Sequence, residues 1–495
     1  MEGEAQENKA MEFKEKEEEE VTEPVSPTGQ YFNSSVLSIC VLAVLESEVP
    51  IDDSLTMTLL KDVFLPINPR FSSIMVNDKN GEKQWKRVEV QLQNHVNIPI
   101  FPIGLSTTSY DNYFNDYISR TALKQFPQSQ PLWEIHLVKY PTSKAAGNII
   151  FKLHHALGDG FSLMGALLSC LQRADNPSLS LTFPSLQYPS NPDCSFSKLN
   201  ITVPKCIGSI FNTISDFGWS LLKSSFVEDS RSPIRSGDEE VQFKPIVIST
   251  ITFSLDHIKQ IKSRLGVTIN DVITGIIFYG TRLYMQNVDD KSTNAHSTAL
   301  VLLNTRVISG YRSVKEMVKP DAESPWGNQF GFLHVSVPEL TDSRFSKPLE
   351  CVTIAQEIIQ RKRSSLAVNL TGRLLEVLRK FRGPELDLKN NECVTLQATA
   401  KYIKQTLFNS SMTISNIIGP VDKMALANHP IKGFYFMVVG VPQSLTITMV
   451  SYAGKLKVAV GTEKGFMDSQ KFKSCMETAF EMIFKSSCEI PSGII

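Results

Sequence analysis

Apolar and polar residues follow regular periods along the first half of the chain. In residues 129–140 (SQPLWEIHLVKY) the apolar residues Trp133, Ile135 and Leu137 alternate with other residues and share one face, which predicts a strand with Trp133 in the core. The loop PTSKAAG separates this segment from NIIFKLHH at 148–155, and two strands so joined predict a hairpin. From Phe161 to Arg173 the apolar residues recur at helical spacing, which predicts a helix directly after the second strand.

Strand and helix patterns also alternate in the second half. A strand and then a helix are predicted over 246–266, and Thr268 is a candidate N-cap of the next helix. Strands dominate from 411 to 462, the last two of them are predicted to form a hairpin, and Asp468 is predicted to open a final helix. Between the halves, residues 176–246 are rich in proline and serine or strongly polar. The pattern therefore predicts an α/β fold with an N-terminal lobe at 25–175, a crossover linker at 176–246 and a C-terminal lobe at 247–495.

Within the linker, residues 204–226 carry an apolar stripe at helical spacing. Such a helix either packs against its own protein or lies in a membrane interface, with Lys205 and Lys223 towards the lipid headgroups. No apolar run reaches the roughly 18 residues that a spanning helix needs. The sequence therefore favours lying on a membrane over spanning it.

Charge is unevenly distributed over the 495 residues, whose formal net charge is −1. Residues 1–24 contain ten Glu and three Lys and few large apolar residues, which predicts a disordered acidic arm. The remainder is mildly basic, which suits a phosphate-bearing small molecule or an anionic membrane but not nucleic acid. The eight cysteines form no CxxC pair, so we expect a reduced chain without a structural metal.

Residues 148–163 (NIIFKLHHALGDGFSL) carry the candidate chemistry. Neighbouring strand residues face opposite sides, so His154 and His155 diverge, which argues against a shared metal ion. His155 ends an apolar row, where a neutral imidazole can act as general base. Asp159 either holds the helix entrance or pairs with a distant arginine, and Gly160 is expected to permit the turn. The alternative is a core strand followed by a capped helix, but HH with DG at this spacing favours a functional site.

The segment HHALGDG resembles the HHxxxDG signature of acyl-CoA-dependent acyltransferases with the chloramphenicol-acetyltransferase-like fold. Five further segments, in their order along the chain, are similar to motifs of the bifunctional wax ester synthase/diacylglycerol acyltransferase family, and of its plant branch in particular. They are PLWEIHLV (131–138), VTINDV (267–272), NTRV (304–307), WGNQFGF (326–332) and SNIIGP (415–420).

The resemblance implies two such lobes with the active site in a channel between them. It implies that His155 deprotonates a long-chain alcohol or diacylglycerol, whose oxygen attacks the acyl-CoA thioester. Asp159 would be structural and His154 supporting, while Asn270 would either stabilise the oxyanion or help cap its helix. No covalent acyl-enzyme is needed, in agreement with the missing GxSxG elbow. No cofactor or metal is expected, because acyl-CoA is a substrate.

The implied substrates place the protein at a membrane, on the cytosolic side of the endoplasmic reticulum or at the plasma membrane. One alternative is an HxxxD-type acyltransferase of soluble phenolic or other alcohol acceptors. The segment SDFGWS (215–220) resembles the DFGWG motif of those enzymes, but it lies in the crossover rather than near the C-terminus, so we interpret it as coincidence. A lipid-binding protein without catalysis is the second alternative, although neither the HH nor the DG pair is broken.

Overall fold

The structure is a computed structural model, and it describes residues 23–79, 83–184, 216, 218–220, 222–304, 306, 317, 326–339, 347–363 and 401–489. In chain order its strands are β1 (Glu23–Pro24), β2 (Cys40–Ser47), β3 (Ser73–Asn77), β4 (Lys83–Arg87), β5 (Val96–Asn97), β6 (Trp133–Val138), β7 (Gly147–His154), β8 (Gln172–Arg173), β9 (Ile246–Ser254), β10 (Thr298–Asn304), β11 (Phe330–Ser336), β12 (Met412–Ile418), β13 (Met424–Leu426), β14 (His429–Val439), β15 (Leu445–Tyr452) and β16 (Lys455–Glu463).

The helices of ten or more residues are Thr107–Leu123, Gly160–Ser169, Leu255–Leu265, Ile269–Val288, Pro348–Arg363 and Ser469–Cys488. Shorter helical segments are Pro27–Phe32, Thr56–Leu59, Leu60–Phe64, Leu65–Ile67, Pro69–Ser72, Leu92–Asn94, Val241–Phe243 and Asp290–Ser292. Among the described residues, no helix combines the length and the apolar character needed to cross a membrane.

A seven-stranded sheet in the order β5-β6-β7-β2-β14-β13-β8 organises the first lobe. The predicted hairpin is confirmed, since β6 and β7 pair antiparallel. On its other side β7 pairs with β2, and β2 pairs with β14, where Ala43 lies opposite Phe436. Residues 424–439 therefore belong to this sheet, and the predicted boundary of a C-terminal lobe at 247–495 is wrong for them. A strand from the far end of the chain supplies the apolar surface that β2 needs as a neighbour.

The second sheet has the order β11-β10-β12-β15-β16-β9, and β15 and β16 form the predicted hairpin. The helices Ile269–Val288 and Ser469–Cys488 pack together beside it and bury its apolar face. Thr268 caps the first of these helices in a capping box with Asp271, and Asp468 caps the second, as their positions predicted.

Two predicted boundaries change. The disordered arm predicted at 1–24 is wrong for its last two residues, because Glu23 and Pro24 pair with β4 and the Glu23 carboxylate lies 2.5 Å from Arg70 Nη2. Residues 1–22 lie outside the described residues. The helix predicted to reach Arg173 ends at Ser169. Residues 172 and 173 instead form the edge strand β8 beside β13, so tertiary pairing overrides their helical spacing.

The proposed interfacial helix at 204–226 is described only at its end, where residues 216, 218–220 and 222–225 are helical. Lys223 is fully buried there, and its Nζ lies 2.5 Å from Asp229 Oδ1. The prediction that Lys223 faces headgroups is therefore wrong, because a buried charge requires an opposite charge beside it. Lys205 and most of the apolar stripe lie outside the described residues.

Candidate active site

The turn after β7 brings the candidate residues to one place. Asp159 is the N-cap of the Gly160–Ser169 helix, and its Oδ1 accepts a hydrogen bond from Ser162 N at 3.0 Å. Neither Gly158 nor Gly160 has a positive φ, so the expected reason for glycine, backbone freedom, is wrong. At position 158 glycine is favoured because there is no space for a side chain, since a Cβ would lie 2.9 Å from the Cβ of Ser162.

His154 faces away from its neighbour and is buried. Its Nδ1 accepts from Ala156 N at 3.1 Å, and its Nε2 lies 3.2 Å from Ser38 Oγ. Burial, with the adjacent His155 and Lys152, lowers the pKa of His154 to about 3. The ring is therefore neutral near pH 7, and both of its nitrogens are engaged by the surrounding protein.

His155 follows β7 and is buried between the rings of Phe32 and Phe330, with centroid distances of 4.7 and 5.7 Å. Its backbone N–H donates to Ile39 O at 2.9 Å, which fixes the end of the strand against β2. Burial lowers the pKa of His155 below its ordinary value, and the Asp159 carboxylate opposes that shift. The imidazole is therefore in its basic, neutral form near pH 7.

Asn328 determines which nitrogen of His155 carries the proton. His155 Nδ1 lies 2.9 Å from Asn328 Oδ1, and Asn328 Nδ2 donates to His155 O at 2.9 Å. The second bond orients the amide, because the carbonyl oxygen can only accept. Asn328 Oδ1 must then accept from Nδ1–H, which leaves the lone pair on Nε2. Within the described residues Nε2 has no protein hydrogen-bond partner, so this atom is the one able to take a proton.

Asn328 was not among the site residues predicted from the sequence. The residue lies inside the WGNQFGF motif, which was the available signal. Nothing local indicated that this motif reaches the histidines, because 173 positions separate Asn328 from His155.

Asp159 holds the turn and also pairs with an arginine, so both alternatives that the sequence left open occur together. Asp159 Oδ2 accepts from Arg306 Nη1 at 2.5 Å and from Gln329 N at 2.9 Å. The Arg306 side chain is fully buried, and its Nη2 donates to Gly327 O at 2.7 Å. Arg306 belongs to the NTRV motif and was not among the site residues predicted from the sequence.

The segment 326–329 is attached to the histidine turn at several further points. Trp326 Nε1 donates to Leu157 O at 2.7 Å, Asp159 N donates to Gly327 O at 3.2 Å, and Ser162 Oγ donates to the same oxygen at 3.1 Å. These bonds join the turn of the first sheet to a segment that leads into β11 of the second. The orientation of His155 is therefore set by both sheets.

A cavity of about 260 Å³ begins at His155 and lies between the two sheets. Its walls come from β2 and β14 of the first sheet, from the Gly160–Ser169 helix and from β10 and β12 of the second sheet. Apolar side chains predominate among the lining residues, which include Val41, Leu153, Met164, Leu167, Leu302, Phe330, Ile417 and Phe436. The polar side chains that line it belong to His155, Asp159, Asn304, Ser415 and Asn416. This lining suits an alkyl chain whose polar end lies near His155.

Asn270 is placed differently from the other candidates. It is exposed and is not among the lining residues of this cavity. Its Oδ1 accepts from Asn416 Nδ2 at 3.1 Å, and Asn416 does line the cavity. The oxyanion role of Asn270 therefore stays a prediction. Trp133, expected in the core, is fully buried and donates from Nε1 to Phe71 O at 2.8 Å.

Solved structures share this arrangement of two lobes. A wax ester synthase/diacylglycerol acyltransferase from Marinobacter aquaeolei VT8 matches with a TM-score of 0.58 at 15% identity, over 94% of this chain and 100% of that one. The EpoB cyclization-docking bidomain of a nonribosomal peptide synthetase from Sorangium cellulosum matches with a TM-score of 0.54 at 11% identity, over 95% of this chain and 85% of that one. The fold thus defines the class as the two-lobed, chloramphenicol-acetyltransferase-like proteins, which confirms the predicted fold.

Two family models identify the chain more closely. The model described as "Wax ester synthase/diacylglycerol acyltransferase catalytic domain" matches residues 64–273, and the one described as "WS/DGAT C-terminal domain" matches residues 326–484. The chain belongs to the wax ester synthase/diacylglycerol acyltransferase family, and it is an O-acyltransferase.

Similar proteins from Arabidopsis thaliana carry the family name. Wax ester synthase/diacylglycerol acyltransferase 4 is 29% identical over an alignment of 470 residues, and the match covers 90% of this chain and 86% of that protein. Wax ester synthase/diacylglycerol acyltransferase 5 is 27% identical over an alignment of 474 residues, and the match covers 90% of each chain. These matches agree with the plant branch indicated by the sequence motifs.

Proposed function

We propose that this protein is an acyl-CoA-dependent O-acyltransferase that esterifies long-chain fatty alcohols to wax esters and also accepts diacylglycerol. The observation that carries the proposal is the position of His155, a neutral histidine with its Nε2 lone pair available, at the head of an apolar cavity. A base at this position can deprotonate a hydroxyl group whose alkyl chain lies in the cavity.

In the proposed reaction His155 Nε2 takes the hydroxyl proton as the alcohol oxygen attacks the thioester carbonyl carbon. The carbon–sulfur bond then breaks, CoA leaves as thiolate, and the imidazolium returns the proton to give the free thiol and the ester. The lowered pKa of His155 supports this role, because the ring stays unprotonated until the hydroxyl proton arrives.

Most of the remaining candidate residues help to position His155. Asn328 holds His155 in the tautomer with a free Nε2, and Asp159 and Arg306 anchor the turn that carries the ring. Ala156 N and Ser38 Oγ engage the two ring nitrogens of His154, which supports a structural role for this residue. Asn270 remains our candidate for stabilising the oxyanion, acting together with Asn416.

We further propose that the protein works at the cytosolic face of the endoplasmic reticulum membrane, with the plasma membrane as the second candidate. Long-chain alcohols and diacylglycerol partition into bilayers, so an enzyme that uses them gains access to substrate by attaching to the surface.

The primary test is neutral-lipid output in a yeast strain that makes no storage lipid. The chain and its His155→Ala variant are expressed, hexadecanol is supplied, and wax ester is separated from triacylglycerol by thin-layer chromatography. We expect wax ester from the parent and none from an equally abundant variant. Triacylglycerol alone would change the acceptor to diacylglycerol, and the absence of both lipids with good expression would contradict the proposal.

A second test concerns the cavity. Leu167 lies on its wall, so Leu167→Trp shortens the space available for an alkyl chain. When alcohols of increasing length compete, we expect this variant to shift its products towards shorter alcohols or acyl groups. Leu179→Trp, at an exposed leucine that does not line the cavity, is the matched control and should leave the product pattern unchanged.

A further inference from the structure

An exposed apolar loop follows β5 at residues 98–105, with the sequence IPIFPIGL. Ile100 and Ile103 are each 92% exposed, and Ile98 and Leu105 are also exposed. Single exposed apolar side chains are ordinary in soluble proteins, but a contiguous group of them marks a surface that contacts something apolar.

The loop is held in this shape by the protein beneath it. Phe101 points inward and stacks on Tyr140 at a centroid distance of 4.9 Å. Tyr110 Oη donates to Pro102 O at 3.0 Å, and Pro99 and Pro102 restrict the backbone on either side of Ile100. Gly104, at φ +80°, allows the return turn that places Ile103 outward. The two isoleucines are thus presented to solvent by a braced loop.

Charge and shape indicate what the loop contacts. No charged residue occurs from Asn97 to Tyr110, so the loop has no group that would resist entry into an apolar phase or pair with a charged protein. Its most exposed side chains project outward rather than lining a groove. A projecting, uncharged apolar tip fits the boundary between lipid headgroups and acyl chains.

A second segment near the loop also carries exposed apolar side chains. Leu55 and Met57 are exposed just after Asp53, whose carboxylate lies 2.8 Å from Lys139 Nζ. Since Tyr140 follows Lys139 and stacks on Phe101, both exposed segments touch the turn between β6 and β7. Both exposed segments therefore lie at the same end of the first sheet.

We propose that residues 98–105 dock the protein onto a lipid bilayer by inserting Ile100 and Ile103 below the headgroups. The inference deepens the membrane attachment put forward under the proposed function and rests on it, but it does not depend on the chemistry at His155. It assigns the attachment to this loop instead of the helix at 204–226, whose Lys223 is buried against Asp229.

The docking loop is separated from the reacting residues. It contacts the turn that precedes β7, whereas His155 follows the last residue of that strand, and eight strand residues span about 25 Å. Substitutions in the loop should therefore leave the catalytic site unchanged, so membrane binding and ester formation can be measured independently.

The test is flotation of the purified full chain with phosphatidylcholine vesicles. We expect the parent to float and the double variant Ile100→Asp/Ile103→Asp to bind at least about tenfold more weakly, since each change removes the gain from burying a large apolar side chain. Ile100→Leu/Ile103→Leu should float like the parent. Phe243→Asp, at another exposed apolar side chain, is the matched control and should also float.

Several outcomes would overturn the assignment. Flotation of the double aspartate variant at the parent level would do so. Loss of flotation in Phe226→Asp but not in the loop variant would assign attachment to the end of the 204–226 segment instead. Strong dependence on anionic lipid or salt would indicate an electrostatic surface rather than this uncharged loop. A change of oligomeric state in the loop variant with flotation intact would make the loop a contact between two copies of the chain.

Ester formation from detergent-dispersed hexadecanol and acyl-CoA, measured on the same preparations, separates the two proposals. Equal rates in the parent and the double variant, with flotation lost only in the variant, support the docking loop. Flotation that depends on the loop in a protein that forms no ester would leave docking supported and contradict the proposed reaction.

Discussion

The two faces of β7 differ in how many ring nitrogens of their histidine are hydrogen-bonded to the protein. On the face of His154, both ring nitrogens are engaged, and the neighbouring Lys152 ammonium contacts Lys124 O and the Phe126 ring. On the other face the described residues engage the ring of His155 at Nδ1, and its Nε2 is left for the cavity. Adjacent residues of the same type thus acquire different properties, because the packing around each ring decides which of its atoms remain available.

The difference between the two faces also separates stability from chemistry. Satisfied groups such as His154 strengthen the fold, because removing them leaves buried partners without a hydrogen bond. A group with an unused lone pair adds less stability, but it can react. Four experiments test this division, beginning with the largest expected effect.

The first compares the two histidines directly. We expect His155→Ala to lower the rate of ester formation by about 10²–10⁴-fold, the usual contribution of a general base. His154→Ala should instead lower the free energy of unfolding by about 1–3 kcal/mol, with a much smaller change in rate per folded molecule. Initial rates and urea unfolding of both variants provide the measurement. Equal loss of rate in both would remove the distinction between the faces.

The second tests the anchor of the turn. Asp159→Ala leaves the buried Arg306 guanidinium without its carboxylate, so we expect the free energy of unfolding to fall by about 3–5 kcal/mol. Asp256→Ala, which breaks the exposed pair with Lys259, is the control and should cost no more than about 1 kcal/mol. Urea denaturation of the two variants should show this contrast. Similar midpoints would mean that the Asp159 pair does not hold the site together.

The third concerns the partner of His155. The neutral ring is the active form, so the rate should rise as pH passes upward through the pKa of His155, which burial lowers. Asn328→Asp places a carboxylate at Nδ1 and favours the imidazolium, so the acidic limb of the rate profile should move up by about 1–2 pH units. Asn328→Ala lacks that carboxylate, and we expect it to lower the rate without an upward move of the limb. An unchanged profile in Asn328→Asp would argue against contact with the base.

The smallest effect is the pH dependence of stability. Burial lowers the pKa of His154 to about 3, so the unfolded chain takes up a proton below about pH 6.5 that the folded protein does not bind until near pH 3. Stability due to the neutral ring is therefore lost as pH falls through this window. His154→Asn should reduce the slope between pH 6 and 4 by up to about 1.4 kcal/mol per pH unit. Unfolding curves at several pH values would test it, and an unaltered slope would count against it.

Local pattern was sufficient for much of the fold. The alternation in β6 and β7, the capping residues Thr268 and Asp468 and the final hairpin all follow from sequence periods and side-chain preferences. It failed where contacts are long-range, as for β14, which pairs with β2 from the far end of the chain. It also failed for Lys223, because an apolar stripe does not show whether a lysine beside it meets water or a buried aspartate.

By itself the sequence determined the family, the divergence of the two histidines and the position of Asp159 at a helix entrance, since each depends on neighbours within a few residues. Only the tertiary structure decided that Arg306 meets Asp159 and that Asn328 orients His155, because those pairs join residues 147 and 173 positions apart. The pKa of a histidine and the availability of its nitrogens depend on atoms that surround it in space. The spacing of residues along the chain shows only which residues are close in sequence. Contacts between residues that are distant in sequence are made by the fold.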